Sequence, residues 1–525
     1  MENEKGLLNA AKLIDWDELT PDRIESEIES ALEWAKAEIE AICLVESDAA
    51  TFENTFMALE NAGQMLSRAW GRVDHMTSVK DSKELREAYN KMLPSVTEFN
   101  SGIHLNPRLW NAIKGFLEKP EAEELTGIQK RFFDETAADF VQAGADLDKA
   151  SKGQLEEINM ELAQKTQKFS ENVLDATNAF ELLVEDEARL AGLPESARQA
   201  ALQSAQSNKL GSEEKPVWRF TLHAPSLLPV LKFADDESLC KEIQEASSQI
   251  GLKEPYDNTS LIRDILKLRA EKASLIGKDN FADNALQRRM AKTGSRALQF
   301  VEDLHKKAKA AFDQEIDELE SFVAQKTGEP KDRLEPWNTT YWAEKLRQQK
   351  YDFNEESLRP YFPIDKVLSG MFEIAERLFA VKIRENKGAN GWHEEVKVYD
   401  LRDDSGELLG YFYADWHPRE EKRGGAWMNF LDTGVPSNGE KSREPHVGLI
   451  CGNMTAPIGD WPALLTHDEV ETVFHEFGHL LHHLLGNIEI KSLSGVNVAW
   501  DFVELPSQIM ENWCWSRESL DLLAR

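Results

Sequence analysis

The chain has 525 residues, of which 41% are hydrophobic and 30% are charged. This length leaves room for two or more packed units, and the composition excludes a fibrous or disordered chain. Aspartate and glutamate outnumber lysine and arginine by 94 to 61, so the formal net charge is -33. That charge repels nucleic-acid backbones and anionic membranes, and we expect neither as a partner.

Cysteine usage and the N-terminal residues bear on the cellular compartment. The four cysteines are far apart and form no CxxC pair, which is typical of a reducing compartment and argues against a cysteine metal site. The first residues are acidic where a signal peptide is basic, and no run approaches 18 apolar residues. We therefore expect a cytoplasmic protein without disulfides.

Most of the first 390 residues are predicted to be helical. After Thr20-Pro21, apolar residues recur at helical spacing up to Cys43, and similar stripes at 155–173 and 298–323 predict two more helices with core-packed faces. Glycines and prolines interrupt this pattern between 209 and 229, around the strand-like segment 217–222. We predict an N-terminal helical domain at 1–210 and a second domain at 225–525.

The character of the sequence changes near residue 395. Two strand-like segments, 396–401 and 408–413, flank a polar connection that contains Asp404-Ser405-Gly406, which predicts a hairpin. Further short strands are predicted around 425–428 and 447–451. A small sheet therefore directly precedes the next helix.

That helix carries a capping signature. Thr466 followed three residues later by Glu469 forms a capping box, and the helical pattern continues to Leu485, with Gly486 placed to end the helix. Within it lies His475-Glu476-Phe477-Gly478-His479.

Residues four apart lie one turn apart on one helix face, so the imidazoles of His475 and His479 can reach a single ion while Glu476 stands beside it. This arrangement predicts a zinc hydrolase in which Glu476 is the base that activates water. A catalytic zinc needs three protein ligands and a fourth position left for water.

Two patterns compete to supply the third ligand. A third-histidine pattern requires glycine at 482 and histidine at 485, but the chain has His482 and Leu485. The alternative takes a glutamate from the following helix, where Glu504 is well placed because Pro506 fits only a first helical turn. We expect His482 and His483 to be packed or solvated, since three histidines and a glutamate would leave no open position.

Supporting residues are predicted around this set. Glu511 shares a helix face with the glutamate ligand, and Glu511 and Asp468 are candidates for orienting a ligand imidazole. Substrate peptides commonly lie against a sheet edge, which suggests the predicted strand 447–451, with Gly448 and Leu449 as peptide-binding residues.

At these positions the chain resembles the thimet oligopeptidase family of zinc peptidases. The likeness is specific at 466–479 and 503–515 and fainter at 84–89, 169–177 and 422–428. It implies His475, His479 and Glu504 as ligands of one zinc ion per chain, and Glu476 as the catalytic residue. It further implies a mainly α, zincin-like fold whose two-part body surrounds a deep channel for short unstructured peptides; we expect a monomer.

The resemblance also predicts a C-terminally incomplete copy. Family members continue past the glutamate-bearing helix, and that continuation supplies a channel wall and the side chains that stabilise the oxyanion, whereas this sequence ends at Arg525. Loss of one oxyanion donor typically costs on the order of 3 kcal/mol of transition-state stabilisation. Turnover is therefore expected to be impaired.

The predicted function is a zinc-dependent oligoendopeptidase that cuts internal bonds of short peptides. The main alternative is a catalytically impaired fragment that binds zinc and peptide without cleaving it. A helical scaffold with an accidental HExxH pattern is a second alternative. An exopeptidase would need a fixed charged group that recognises a peptide terminus, and no residue in the sequence identifies one.

Overall fold

The computed structural model describes residues 6–8, 13–331, 334–439, 441–459 and 461–525. The chain is mainly α-helical, as predicted. Its helices are α1 (Pro21–Cys43), α2 (Ala58–Ala62), α3 (Gln64–Val79), α4 (Lys83–Leu105), α5 (Pro107–Leu117), α6 (Pro120–Glu123), α7 (Gly127–Ala143), α8 (Lys149–Asn178), α9 (Glu195–Ser207), α10 (Ala224–Phe233), α11 (Glu237–Ser247), α12 (Thr259–Leu275), α13 (Phe281–Leu286), α14 (Gly294–Thr327), α15 (Thr339–Tyr351), α16 (Ile364–Phe379), α17 (His467–Leu484), α18 (Glu504–Glu511) and α19 (Arg517–Leu523).

The first predicted helix is confirmed. Helix α1 begins at Pro21, whose fixed φ suits a first helical position, and Thr20 flanks it without a side-chain cap. Ile24, Ile28 and Leu32 are buried on one face. The predicted stripe at 155–173 likewise lies within α8.

Helix α14 confirms the helix predicted at 298–323. The prediction that its apolar face packs in a core is wrong for the N-terminal half. Leu319 and Val323 are buried, whereas Leu298, Val301 and Leu304 are 56–60% exposed. Among the described residues, the C-terminal end of α14 packs against α15. Apolar spacing predicts a helix face, but it does not determine which element covers that face.

Two sheets are present in the described chain. Strands β1 (Leu182–Val184) and β2 (Trp218–Phe220) form a small antiparallel pair. The larger sheet has the order β3-β4-β5-β7-β6 and consists of β3 (Val381–Glu385), β4 (Lys397–Asp403), β5 (Leu408–Asp415), β6 (Trp427–Asp432) and β7 (His446–Cys451). The predicted hairpin is confirmed as the antiparallel pair β4 and β5, while β5 and β7 run parallel.

The larger sheet is covered on both faces. Alternate residues such as Tyr413 and Leu449 belong to a core shared with the N-terminal helices. Their neighbours, such as Phe412 and Ile450, belong to a second core with α16 and α17. Fully burying a side chain of this size contributes roughly 1.5–3 kcal/mol, so the sheet holds α17 firmly in place.

The segment around β1 and β2 has its own smaller core. It contains Val184, Trp218 and Phe220 together with apolar residues of α9, α10 and α11. The division into domains at 1–210 and 225–525 stays a prediction.

All four cysteines are free. Cys240, Cys451 and Cys514 are buried, and burial raises the pKa of Cys240 to about 11. In the part of the chain that the structure describes, no helix combines the length and apolarity needed to cross a membrane.

Helices α17 and α18 approach each other at Gly478. A Cβ atom at this position would lie 2.7 Å from Ser507 Cα and 3.0 Å from the carbonyl oxygen of Pro506. Both neighbours are backbone atoms, which cannot rotate away. Glycine therefore sets the separation of the two helices.

We expect Gly478→Ala to displace α18 and to destabilise the protein by roughly 1–3 kcal/mol, as overpacking usually does. Binding of the zinc ion expected at His475, His479 and Glu504 should weaken as well, because Glu504 moves with α18. Thermal unfolding and competition with a chromogenic chelator measure the two effects. Gly102→Ala in α4 is the matched control, because nothing lies within 4 Å of its added Cβ. Equal zinc affinity in the two variants would contradict the role of Gly478.

Candidate metal centre

The predicted capping box at the start of α17 is confirmed. Thr466 Oγ1 accepts a hydrogen bond from the Glu469 backbone N–H at 3.1 Å, and Glu469 Oε2 accepts one from the Thr466 N–H at 2.8 Å. Glu469 Oε1 also accepts the N–H of Thr455 at 2.6 Å, which ties the helix start to the loop after β7. The helix ends at Leu484, with Leu485 at the C-cap.

Three predicted side chains meet between α17 and α18. The Nε2 atoms of His475 and His479 each lie 3.2 Å from Glu504 Oε2. Ligand atoms of these three residues all lie within 4.8 Å of one another. Two tetrahedral zinc ligands at ordinary bond lengths are roughly 3.4 Å apart, so two imidazole nitrogens and one carboxylate oxygen at these distances fit a zinc ion.

Glu504 is the first residue of α18, and Pro506 occupies the first turn as expected. Ser507 Oγ donates a hydrogen bond to Glu504 Oε2 at 3.0 Å. This contact orients the carboxylate toward the imidazoles of α17.

Glu511 contacts the imidazole of His475, in the position expected of a residue that orients this ring. Its Oε1 is 2.7 Å from His475 Nδ1. A carboxylate there fixes the proton on Nδ1 and leaves the Nε2 lone pair directed toward Glu504 and the metal position.

Asp468 lies elsewhere, beside His467 and Glu471 on the first turns of α17. It is exposed, and the contacts of the described residues include none between its carboxylate and either imidazole of His475 or His479. Its suggested orienting role stays a prediction that no contact supports.

Glu476 lies on α17 between the two histidines and is 7% exposed. Burial raises its pKa to about 7, while His475 and a hydrogen bond from the Met428 backbone N–H act in the opposite direction. The bond from Met428 places the carboxylate beside β6. A buried carboxylate next to a metal position is suited to accept a proton.

The prediction that Gly448 and Leu449 bind the peptide is wrong. Both lie on β7, which pairs with β5 on one side and β6 on the other, and Leu449 is fully buried. A Cβ at Gly448 would lie 2.5 Å from Leu480 Cδ1, so this glycine lets α17 pack on the sheet. Strand order cannot be read from the sequence, so sequence reasoning cannot distinguish a central strand from an edge strand.

The edge strand next to α17 is β6. It pairs with β7 alone, and the backbone N–H of Phe430 donates to the Asn429 side chain at 2.8 Å. A cavity of about 570 Å³ adjoins β6 and is lined by its residues 429–432 and by Phe132 and Phe140 of α7. Sequence reasoning found the strand but had no signal that it forms an edge.

The two histidines after the motif are not ligands in this arrangement. His483 is fully buried and stacks on Phe430, with ring centroids 5.0 Å apart. Burial lowers its pKa to about 3, so it is neutral in the core. His482 lines an apolar cavity together with Leu485 and Ile509.

Comparison with known proteins identifies the family. The profile of Peptidase family M3 matches residues 230–525, and that of the Neurolysin/Thimet oligopeptidase N-terminal domain matches residues 27–152. Oligopeptidase A of Haemophilus influenzae is 38% identical over 530 residues, which cover 100% of this chain and 76% of the relative. Oligopeptidase A of Escherichia coli is 36% identical over 524 residues, with coverages of 99% and 76%.

The fold is also similar to that of a solved structure. A crystal structure from Bacillus anthracis named after oligoendopeptidase F has a TM-score of 0.52 and 15% identity, and the match covers 94% of this chain and 73% of the other. The chain therefore belongs to peptidase family M3 and is a metalloendopeptidase of that family.

Proposed function

We propose that the chain is a zinc-dependent oligoendopeptidase that hydrolyses internal bonds of short unstructured peptides. The observation that carries this proposal is the meeting of His475, His479 and Glu504 beside the buried carboxylate of Glu476. Membership of family M3 supports peptide hydrolysis, and the arrangement of donors supports zinc.

His475, His479 and Glu504 would hold one zinc ion. Two neutral imidazoles and one carboxylate form a donor set that zinc prefers in catalytic sites, with one position left for water. Zinc at such a site supplies a Lewis acid that makes water acidic near neutral pH and polarises a carbonyl group. Glu511 and Ser507 hold two of the three ligands in orientation, which reduces the entropy lost on metal binding.

Glu476 is the proposed general base and acid. Its carboxylate accepts a proton from the attacking water and later delivers that proton to the nitrogen of the departing amine. The hydrogen bond from Met428 holds the carboxylate at the sheet edge, where a substrate carbonyl can approach. Its burial in α17 excludes bulk water that would compete for the same oxygen atoms.

The substrate is proposed to bind along β6. An extended peptide can add to an exposed strand edge through backbone hydrogen bonds, which need no folded partner and tolerate many side chains. The cavity beside residues 429–432 is lined by aromatic groups and can receive side chains of such a peptide. A folded protein rarely offers a free extended segment, so the arrangement favours short unstructured substrates.

Glu476→Gln tests the proposed base. The amide cannot accept the proton, so kcat on a fluorogenic peptide should fall roughly 10²–10⁴-fold while zinc stoichiometry stays at one per chain. Glu373→Gln, an exposed change on α16, is the matched control. An unchanged rate in Glu476→Gln would reject the role. Zinc and peptide binding without cleavage by the unaltered chain would favour the alternative of a binding fragment.

Glu511→Ala and Asp468→Ala separate the two suggested orienting residues. Loss of the 2.7 Å contact to His475 should weaken zinc binding roughly 10- to 100-fold in Glu511→Ala. Asp468→Ala should leave zinc affinity unchanged, because its carboxylate contacts neither imidazole among the described residues. Chelator competition at fixed pH measures both affinities. A stronger effect of Asp468→Ala would reverse the assignment.

A further inference from the structure

An arginine stands at the start of the edge strand. Arg423 is exposed, and its guanidinium carbon lies 4.5 Å from the ring centroid of Trp427, the first residue of β6. The ion pairs formed within the described part of the chain include none to this side chain. Its charge acts electrostatically on Asp74, whose carboxylate accepts a hydrogen bond from Tyr89 at 3.0 Å.

The loop that carries Arg423 is held in place. The preceding residue, Lys422, is fully buried, and its Nζ donates to Asp415 Oδ1 at 2.8 Å. The backbone N–H of Arg423 donates to the carbonyl oxygen of Ser78 at 2.8 Å. Asn453 Nδ2 donates to the Arg423 carbonyl oxygen at 3.0 Å. The cation is therefore presented on a fixed backbone, which lowers the entropy lost when it binds a ligand.

Arg423 lies close to the proposed reaction centre along the strand. Its guanidinium lies over the ring of Trp427. The next residue of the strand is Met428, and the Met428 backbone N–H donates to Glu476. A peptide along a strand advances by about 3.3 Å per residue, so groups only a few residues from the cleaved bond come alongside the guanidinium.

The charges at the two ends of β6 select the direction of the peptide. The strand starts beside Arg423 and ends at Asp432, which forms a 2.9 Å ion pair with Arg68. A peptide antiparallel to β6 brings its C-terminal end to Arg423, whereas a parallel peptide brings its ammonium group there. Like charges repel, so the antiparallel direction is favoured.

Resting on the proposed function, we propose that Arg423 binds a carboxylate on the part of the peptide that follows the cleaved bond, namely the C-terminal carboxylate of a short substrate. A guanidinium can bind a carboxylate through two parallel hydrogen bonds, which gives both affinity and direction. The substrate class is then short peptides that end within a few residues of the cleaved bond.

Three fluorogenic peptides of one sequence test this inference on the zinc-loaded full chain. The first has a free C-terminal carboxylate, the second a C-terminal carboxamide, and the third a carboxamide with aspartate as its last residue. The first should have a KM roughly tenfold lower than the second, with a similar kcat, because a charge-assisted contact is lost in the second. Rapid cleavage of the third supports carboxylate recognition with a side chain as its source, and slow cleavage identifies the terminal carboxylate.

Arg423→Gln should bring the ratio of the KM values for the second and first peptides close to one. Arg423→Lys should restore part of the difference between the two KM values. Arg377→Gln on α16 is the control, because among the described residues this arginine pairs with an exposed glutamate alone; it should keep the ratio of the unaltered chain. Equal KM values for both peptides in the unaltered chain would overturn the inference. An undiminished ratio in Arg423→Gln would overturn it as well.

A binding measurement separates this inference from the proposed function. Fluorescence anisotropy on Glu476→Gln reports peptide affinity without turnover. Tighter binding of the carboxylate peptide than of the carboxamide peptide supports the role of Arg423, whether or not the unaltered chain cleaves either peptide. Failure of the unaltered chain to cleave both peptides would reject only the oligoendopeptidase activity. Equal binding of the two peptides rejects the role of Arg423 even if both are cleaved.

Discussion

The close contact between α17 and α18 is the constraint on which the rest of the site depends. Helix geometry places His475 and His479 on one face, but a third ligand has to come from another element. Gly478 lets the backbone of α18 approach so closely that Glu504 Oε2 lies 3.2 Å from both imidazoles. The same approach brings Glu511 to His475. One small residue therefore determines the position of both glutamates.

The larger sheet contributes through its edge. Both of its faces are buried, one by the N-terminal helices and one by α16 and α17, so side chains on β7 are used for packing. Strand β6 is one of the two edge strands of this sheet, and it also holds Glu476 through the Met428 backbone. The Glu476 carboxylate, which is the proposed general base, and the edge strand β6 are therefore held by one structural unit.

Charged groups around the site have different physical roles. The ion pair of Lys422 and Asp415 is fully buried, where removing one partner would leave an uncompensated charge, so it fixes the loop before β6. Exposed pairs such as Arg377 with Glu373 are screened by water and contribute little. Arg423 belongs to neither group, because its backbone is fixed while its cation faces solvent without a contacting counter-ion among the described residues.

The sequence by itself determined what depends on local spacing. Residues four apart placed two histidines on one face, Thr466 and Glu469 marked the helix start, and Pro506 placed Glu504 in a first turn; the structure brings these groups together as expected. Only the tertiary structure decided that β6 is the edge, that Gly448 packs against α17, and that half of α14 is exposed. Strand order and the covering of a helix face depend on contacts between residues far apart in sequence, and local periodicity carries no information about them.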